Sequence, residues 1–224
     1  MPSSLNKSSF AAFVHSTKTG GTLLEDALLR QRCGIEASGR GHELKESDYE
    51  KRHRTVVTVL REPLDRLHSQ FFYWRDGSSS GPFRRTAFER REHQRLYPDL
   101  ASFVNAQMHG SRLAAMIRTN RMQFTWAAHF EPQAHWLNGR HLDTWVVCYN
   151  KTGLVDNARA MFAAMGHACR LDDRLVNPTK DYSTETLPSA EMEWVRRKHA
   201  KDLALWSKCA GRQFVRLRNG GADK

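Results

Sequence analysis

Lysine, threonine and glycine residues near the amino terminus form the first group in this sequence that could do chemistry. They follow the apolar run 10–15 and precede a segment whose leucines have helical spacing. The unpaired N–H groups and the dipole of a helix start favour an anion, and glycines let it approach the main chain closely. We therefore predict an anion-binding loop, although a glycine-containing turn with a surface lysine is the plain alternative. The candidate ligands are Thr17, Lys18, Thr19, Gly20, Gly21, Thr22 and Leu23.

The order of residues in this loop argues against hydrolysis of ATP or GTP. Nucleotide hydrolases use the pattern G-x-x-x-x-G-K-[ST], in which the lysine follows a glycine. Here Lys18 comes before the glycine pair. A lone lysine among hydroxyl groups suits a 5′-phosphosulfate, for which no Mg²⁺ ligand is required, so we predict no metal.

A second anion-binding group is predicted at Arg61 and Ser69. Arg61 ends the β-branched run 55–60, and open α/β sheets bind ligands at the carboxyl ends of their strands. Its planar guanidinium suits a phosphate. Ser69, about two helical turns further on, can add a hydroxyl donor. The structural alternative is a surface salt bridge from Arg61 to Glu62 or Asp65.

Alternating strand and helix patterns must position these two groups. Apolar runs at 10–15, 55–60 and 145–149 are typical of buried parallel strands, and each is followed by helical spacing. The region 32–50 is polar and mixed, and residues 39–42 within it are expected to form a loop. We predict one α/β domain over residues 1–224. Helices are expected to begin at Pro63 and Asp99, one is expected to end at Gly166, and a last long helix is expected to begin at Pro188.

The composition favours a globular protein with an anionic partner. The chain has 224 residues, of which 40% are hydrophobic, and 35 Lys and Arg against 24 Asp and Glu give a net charge of +11. Its four cysteines are scattered and are interpreted as ordinary thiols. There is no apolar run long enough for a membrane helix and no secretory signal. We therefore expect a cytoplasmic protein.

Both groups resemble motifs of the PAPS-dependent sulfotransferases, where PAPS is 3′-phosphoadenosine 5′-phosphosulfate. Residues 15–22, HSTKTGGT, look like the family's 5′-phosphosulfate loop, PKTGGT, with Ser-Thr in place of a residue and proline. Residues 59–71, VLREPLDRLHSQF, are similar to its second motif, LRdPxxRxxSxy, in which the arginine and the serine hold the 3′-phosphate. The likeness is closest to the carbohydrate branch that contains the heparan sulfate 2-O enzymes and their bacterial relatives.

This resemblance implies a fold, a donor and further contacts. It implies a P-loop-NTPase-like three-layer domain, in which helices flank a central parallel sheet. The donor would be PAPS and the product PAP. Residues 177–180, NPTK, resemble the late loop that closes over the nucleotide, which adds Thr179 and Lys180 to the candidate ligands.

The expected reaction is an in-line transfer of a sulfuryl group to a hydroxyl or an amine. By analogy with phosphoryl transfer, Lys18 would stabilise the bridging oxygen as PAP leaves. The acceptor proton needs a base, and His42 is our choice because a catalytic histidine occupies the corresponding stretch of the 2-O enzymes. Glu43 and His53 are less favoured bases, and His15 is expected to be structural.

The acceptor is left open between a glycan and a small metabolite. An arginine-rich segment could bind a sulfated or carboxylated glycan, although a solvated charged helix is the favoured interpretation; it contains Arg84, Arg85, Arg90, Arg91 and Arg95. Trp126, Trp136 and Trp145 could stack on an acceptor, although core packing is their default role. A P-loop-type kinase of small molecules is the alternative function. A nucleic-acid binder leaves both motifs unexplained, and a sulfotransferase that binds PAP without catalysis is a further alternative.

Overall fold

The computed structural model describes residues 11–16, 19–31, 34–37, 49, 52–76, 87–109, 131–137, 143–150, 152–167, 169, 171 and 185–218. Within these ranges the chain forms five strands and seven helices. The strands are β1 (Ala11–Val14), β2 (Ile35–Ala37), β3 (Thr55–Leu60), β4 (Asp143–Cys148) and β5 (Phe214–Arg218). The helices are α1 (Gly21–Gln31), α2 (Pro63–Asp76), α3 (Ala87–Leu96), α4 (Leu100–Met108), α5 (Leu154–Ala164), α6 (Ser189–Lys198) and α7 (Ala200–Cys209).

The five strands form one mostly parallel sheet in the order β2-β1-β3-β4-β5. Only β5 is antiparallel to its neighbour. In register, Val57 of β3 lies between Phe13 of β1 and Trp145 of β4. The predicted α/β class is confirmed. Because β1, β3 and β4 run in parallel, the residues that follow them meet at one edge of the sheet.

The chain divides into two compact units. The first contains residues 1–61, 133–176 and 205–224, and the second contains residues 62–132 and 177–204. The first unit holds the whole sheet, with a buried core in which Phe13, Leu28 and Phe162 take part. The second unit is helical, and its core includes Phe71 and Phe103.

Several predicted element ends agree with the structure. The strand predicted at 55–60 is β3, and Pro63 is the first residue of α2, where its missing N–H costs no helical bond. Asp99 caps α4 in a reciprocal capping box with Ser102, whose main-chain N–H donates to the carboxylate at 2.7 Å. This bond lowers the pKa of Asp99 below its usual range.

Other expectations were wrong. The long helix predicted after Pro188 is two helices, α6 and α7, which are separated at His199. Two short strands, β2 and β5, were missed; β2 lies in the polar segment 32–50, for which no strand was predicted. Among the cysteines, Cys148 and Cys209 are buried free thiols as expected, but Cys169 is disulfide-bonded. In the described part of the chain, no helix is long and apolar enough to cross a membrane.

Two adjacent leucines of α1 test the core of the first unit. Leu28 is 1% exposed, whereas Leu29 is 50% exposed. Leu28→Ala should lower the free energy of unfolding by about 2–5 kcal/mol, because it removes buried methyl groups and leaves a cavity. Leu29→Ala should change it by less than about 0.5 kcal/mol. Urea denaturation measures both; equal effects would contradict the orientation of α1.

Candidate anion-binding site

The two predicted anion-binding groups and a neighbouring tyrosine each follow the end of a parallel strand. The anion loop, which we define as residues 15–22, follows β1; Arg61 follows β3; and Tyr149 follows β4. β1 and β4 are the two neighbours of β3. The main-chain N–H of Tyr149 donates to the carbonyl of Leu60 at 2.8 Å, which extends the β3–β4 pairing to the residue before Arg61.

Gly20 allows the anion loop to approach the ends of β4 and α5. Its φ of +82° lies in the left-handed region that favours glycine. A Cβ at this position would lie 2.5 Å from Cδ2 of Leu154 and 3.2 Å from Cε2 of Tyr149. The absence of a side chain therefore lets the main chain of the loop pack against the Tyr149 ring.

Hydrogen bonds within the loop use its described hydroxyl groups. Thr19 Oγ1 donates to the carbonyl of Ser16 at 2.9 Å, and Ser16 Oγ donates to the carbonyl of Val59 on β3 at 3.3 Å. Both side chains are buried. The Thr19 hydroxyl hydrogen thus serves the loop itself, so a contact of Thr19 with a ligand would come from its main chain.

Helix α1 begins at Gly21, so the last two residues of the loop form the start of the helix. The first main-chain N–H groups of a helix have no acceptor within it, and Gly21, Thr22 and Leu23 supply three of them. The first turn contains no acidic side chain that could compete for these donors. A helix start of this kind is a general anion-binding feature, and anion binding here stays a prediction.

Arg61 is held at the end of β3 by two residues that sequence reasoning missed. Gln133 is fully buried, and its side-chain amide forms two bonds with the main chain of Arg61: Oε1 accepts from the N–H at 2.9 Å, and Nε2 donates to the carbonyl at 2.7 Å. The guanidinium carbon of Arg61 lies 4.4 Å from the centre of the Tyr149 ring. Such stacking orients the planar group and contributes about 0.5–2 kcal/mol.

Tyr149 links the two predicted groups. Its ring contacts the position of Gly20 and also stacks on the guanidinium of Arg61. The anion loop and Arg61, which the sequence treats as separate motifs, therefore meet at one aromatic ring at the carboxyl edge of the sheet. In the sequence, Tyr149 appears only as the last residue of an apolar strand pattern. That pattern gives no indication that its ring contacts both groups.

Ser69 lies on α2, in the second unit, and is 1% exposed. Among the described residues its hydroxyl has no hydrogen-bond partner. A buried polar group without a partner costs about 1–3 kcal/mol, so it calls for an explanation. A hydroxyl that donates to a ligand would provide one.

The remaining site predictions are only partly covered by the structure. Thr22 and Leu23 lie in the first turn of α1 by their main chains. Thr17, Lys18, His42, Glu43, Thr179 and Lys180 lie outside the described residues.

The alternative base His53 is far from Arg61 along β3. It is buried, with Nε2 2.6 Å from Oε2 of Glu36 on β2. It precedes β3, whereas Arg61 follows it, and the six residues of the strand span about 20 Å. His53 therefore belongs to the amino-terminal edge of the sheet.

The candidate acceptor-binding residues are described only in part, and Arg90 and Arg91 are among those described, on α3. Trp136 is buried, and Trp145 packs against the core of the first unit, stacked on Phe214. Arg95 pairs with Glu92 of the same helix at 2.9 Å, which raises the pKa of Arg95. Arg84, Arg85 and Trp126 lie outside the described residues.

No protein-family model, curated protein or solved structure matches this chain. The resemblance to sulfotransferases therefore depends on the motif residues themselves and on the site into which the fold brings them.

Alanine substitutions at two glycines with similar backbone angles distinguish the cost of backbone strain from the cost of a steric clash. Gly20 has a φ of +82° and close neighbours, whereas Gly166 has a φ of +79° and nothing within 4 Å of the point where a Cβ would lie. Gly166→Ala should lower the free energy of unfolding by about 1–2 kcal/mol through strain alone. Gly20→Ala should cost about 1–3 kcal/mol more, because the added methyl group also collides with Leu154. Chemical denaturation compares them; equal losses would contradict the packing around Gly20.

Proposed function

We propose that this protein is a sulfotransferase that moves a sulfuryl group from PAPS to a hydroxyl or an amine of a glycan or a small metabolite. The observation that carries the proposal is the Tyr149 contact, which joins the anion loop to Arg61 at the carboxyl edge of the sheet. The resemblance assigns these two motifs to the two ends of one nucleotide, the 5′-phosphosulfate and the 3′-phosphate. A shared nucleotide requires that both motifs lie at the same edge.

The described residues fit the donor chemically. The start of α1 provides main-chain donors for the 5′-phosphosulfate. The guanidinium of Arg61, with its orientation set by Tyr149 and Gln133, suits the 3′-phosphate. The resemblance also assigns Ser69 to the 3′-phosphate, and its hydroxyl has no hydrogen-bond partner among the described residues. The P-loop-like fold is part of this proposal; β1, followed by a glycine loop and a helix and flanked by two parallel strands, supports it.

In the proposed mechanism the protein positions the donor and the acceptor in line and removes one proton. Lys18 stabilises the bridging oxygen while PAP leaves. His42 takes the acceptor proton. A His42→Ala variant that transfers at the wild-type rate would remove His42 from the mechanism. No metal is assigned a role.

The compartment remains a prediction from the sequence. Disulfides are rare in the reducing cytosol, so the disulfide at Cys169 weighs against the cytoplasmic location predicted from the sequence.

Calorimetric titration of PAP without Mg²⁺ tests the donor site. The wild-type protein should bind PAP, and Lys18→Ala, Arg61→Ala and Ser69→Ala should each bind it more weakly. Loss of a hydrogen bond to a charged group costs about 1.5–3 kcal/mol, which corresponds to roughly 10- to 100-fold in Kd. Ser69→Ala should not lower the free energy of unfolding, because it removes a buried hydroxyl without a described partner.

Arg196→Ala is the matched control, since it removes an exposed arginine from α6. It should leave the Kd for PAP within about twofold of the wild-type value. Equal weakening by Arg61→Ala and Arg196→Ala would indicate only a general attraction of charges. Binding of ATP with Mg²⁺ but not of PAP would overturn the proposal in favour of a kinase.

A further inference from the structure

A buried histidine–glutamate pair joins the two ends of the anion loop. His15 is the residue that follows β1, and its Nδ1 lies 2.8 Å from Oε2 of Glu25 on α1. His15 is 5% exposed and Glu25 is 7% exposed. Since β1 and α1 are the two elements that the loop connects, this bond ties the end of the strand to the second turn of the helix.

The same imidazole packs against the first residue of α1. A Cβ at Gly21 would overlap Cδ2 of the His15 ring and would lie 2.7 Å from its Nε2. Gly21 and Glu25 are four residues apart, so they lie one turn apart on the same face of the helix. His15 therefore contacts α1 at two levels and determines how closely the helix start approaches β1.

This arrangement is suited to positioning rather than to proton transfer with an acceptor. One edge of the ring faces the Glu25 carboxylate, and another edge faces the main chain of Gly21. The ring is also buried.

We propose that His15 and Glu25 are positioning residues for the donor: they hold the first turn of α1 where its N–H groups meet the 5′-phosphosulfate. This inference rests on the proposed function and adds two residues to it. Neither residue touches the donor, so each acts through the main chain of Gly21 and the residues that follow. A displacement of about 1 Å at such a site is enough to weaken a bound group strongly.

The same unit contains a second buried pair that serves as a matched control. His53 and Glu36 are joined at 2.6 Å, and His53 is 7% exposed. This pair lies at the start of β3, away from the anion loop. His15→Ala and His53→Ala remove the same side chain from similar surroundings, so a purely structural role predicts similar effects for both.

The experiment measures PAP binding and urea denaturation for wild type, His15→Ala, His53→Ala, Gly21→Ala and the double variant His15→Ala/Gly21→Ala. Both histidine variants should lose stability, but only His15→Ala should raise the Kd for PAP, by about tenfold or more. Gly21→Ala should also raise it by about tenfold, because its methyl group collides with the ring. In the His15→Ala background the added methyl group should have little further effect on either measurement, which would show that the two positions are coupled.

A second pair of variants covers the case in which His15→Ala does not fold. Glu25→Gln keeps an acceptor for the imidazole and should bind PAP within about threefold of wild type, whereas Glu25→Leu removes it and should bind about tenfold more weakly. Wild-type PAP affinity in both His15→Ala and Glu25→Leu would overturn the positioning role and leave the proposed function intact. Failure of the wild-type protein to bind PAP would overturn the proposed function and this inference together, while the denaturation data would still report the packing of His15 on Gly21.

Discussion

The lack of side chains at Gly20 and Gly21 is the constraint on which the candidate site depends. At each glycine, the space that a side chain would need is occupied by a different neighbouring residue. Leu154 and Tyr149 occupy the space beside Gly20, and the His15 ring occupies the space beside Gly21. The anion loop is thus packed between the end of β1 on one side and the ends of β4 and α5 on the other. Any side chain at either glycine would separate these elements.

This packing would let the loop bind the proposed anion without reorganising first. Gln133 fixes the main chain of Arg61, and Tyr149 fixes its guanidinium relative to the loop. Ser16 ties the loop to β3 through the Val59 carbonyl. Donors that are already aligned lose little conformational entropy when a ligand binds, so more of the interaction energy appears as affinity.

Residue patterns predicted the parts of the fold that local chemistry determines. The β-branched run of β3 predicted its bounds and placed Arg61 at its end, and Asp99 predicted the start of α4. The short strands β2 and β5 were missed because Glu36, Arg216 and Arg218 interrupt their apolar character. Propensity carries little information for strands of three to five residues whose pairing is decided by the rest of the sheet.

The positioning residues could not be predicted, because their contacts are long-range. Gln133 lies 72 positions from Arg61, and an isolated glutamine has no periodic signal. Tyr149 fitted the apolar pattern of β4, so nothing in the sequence distinguished it from the other residues of that run. His15 was expected to be structural, and its contact with Glu25 required knowledge of how α1 lies against β1. The sequence therefore indicated which groups could bind an anion, while the groups that orient them depend on the tertiary fold.

Glu25 places an acidic side chain on α1, close to the helix start that we propose as an anion site. A carboxylate in the second turn of α1 lies close to the donors of the first turn and would by itself disfavour a bound phosphosulfate. The contact with the imidazole, in which Nδ1 of His15 lies 2.8 Å from Oε2, holds the carboxylate beside the residue that follows β1. The hydroxyl groups of the two motifs differ in their partners. Those of Ser16 and Thr19 donate to main-chain carbonyls, whereas that of Ser69 has no partner among the described residues. Within the described residues, the hydroxyls that build the loop are satisfied internally, whereas the buried serine hydroxyl that is not satisfied belongs to the motif that the resemblance assigns to a phosphate.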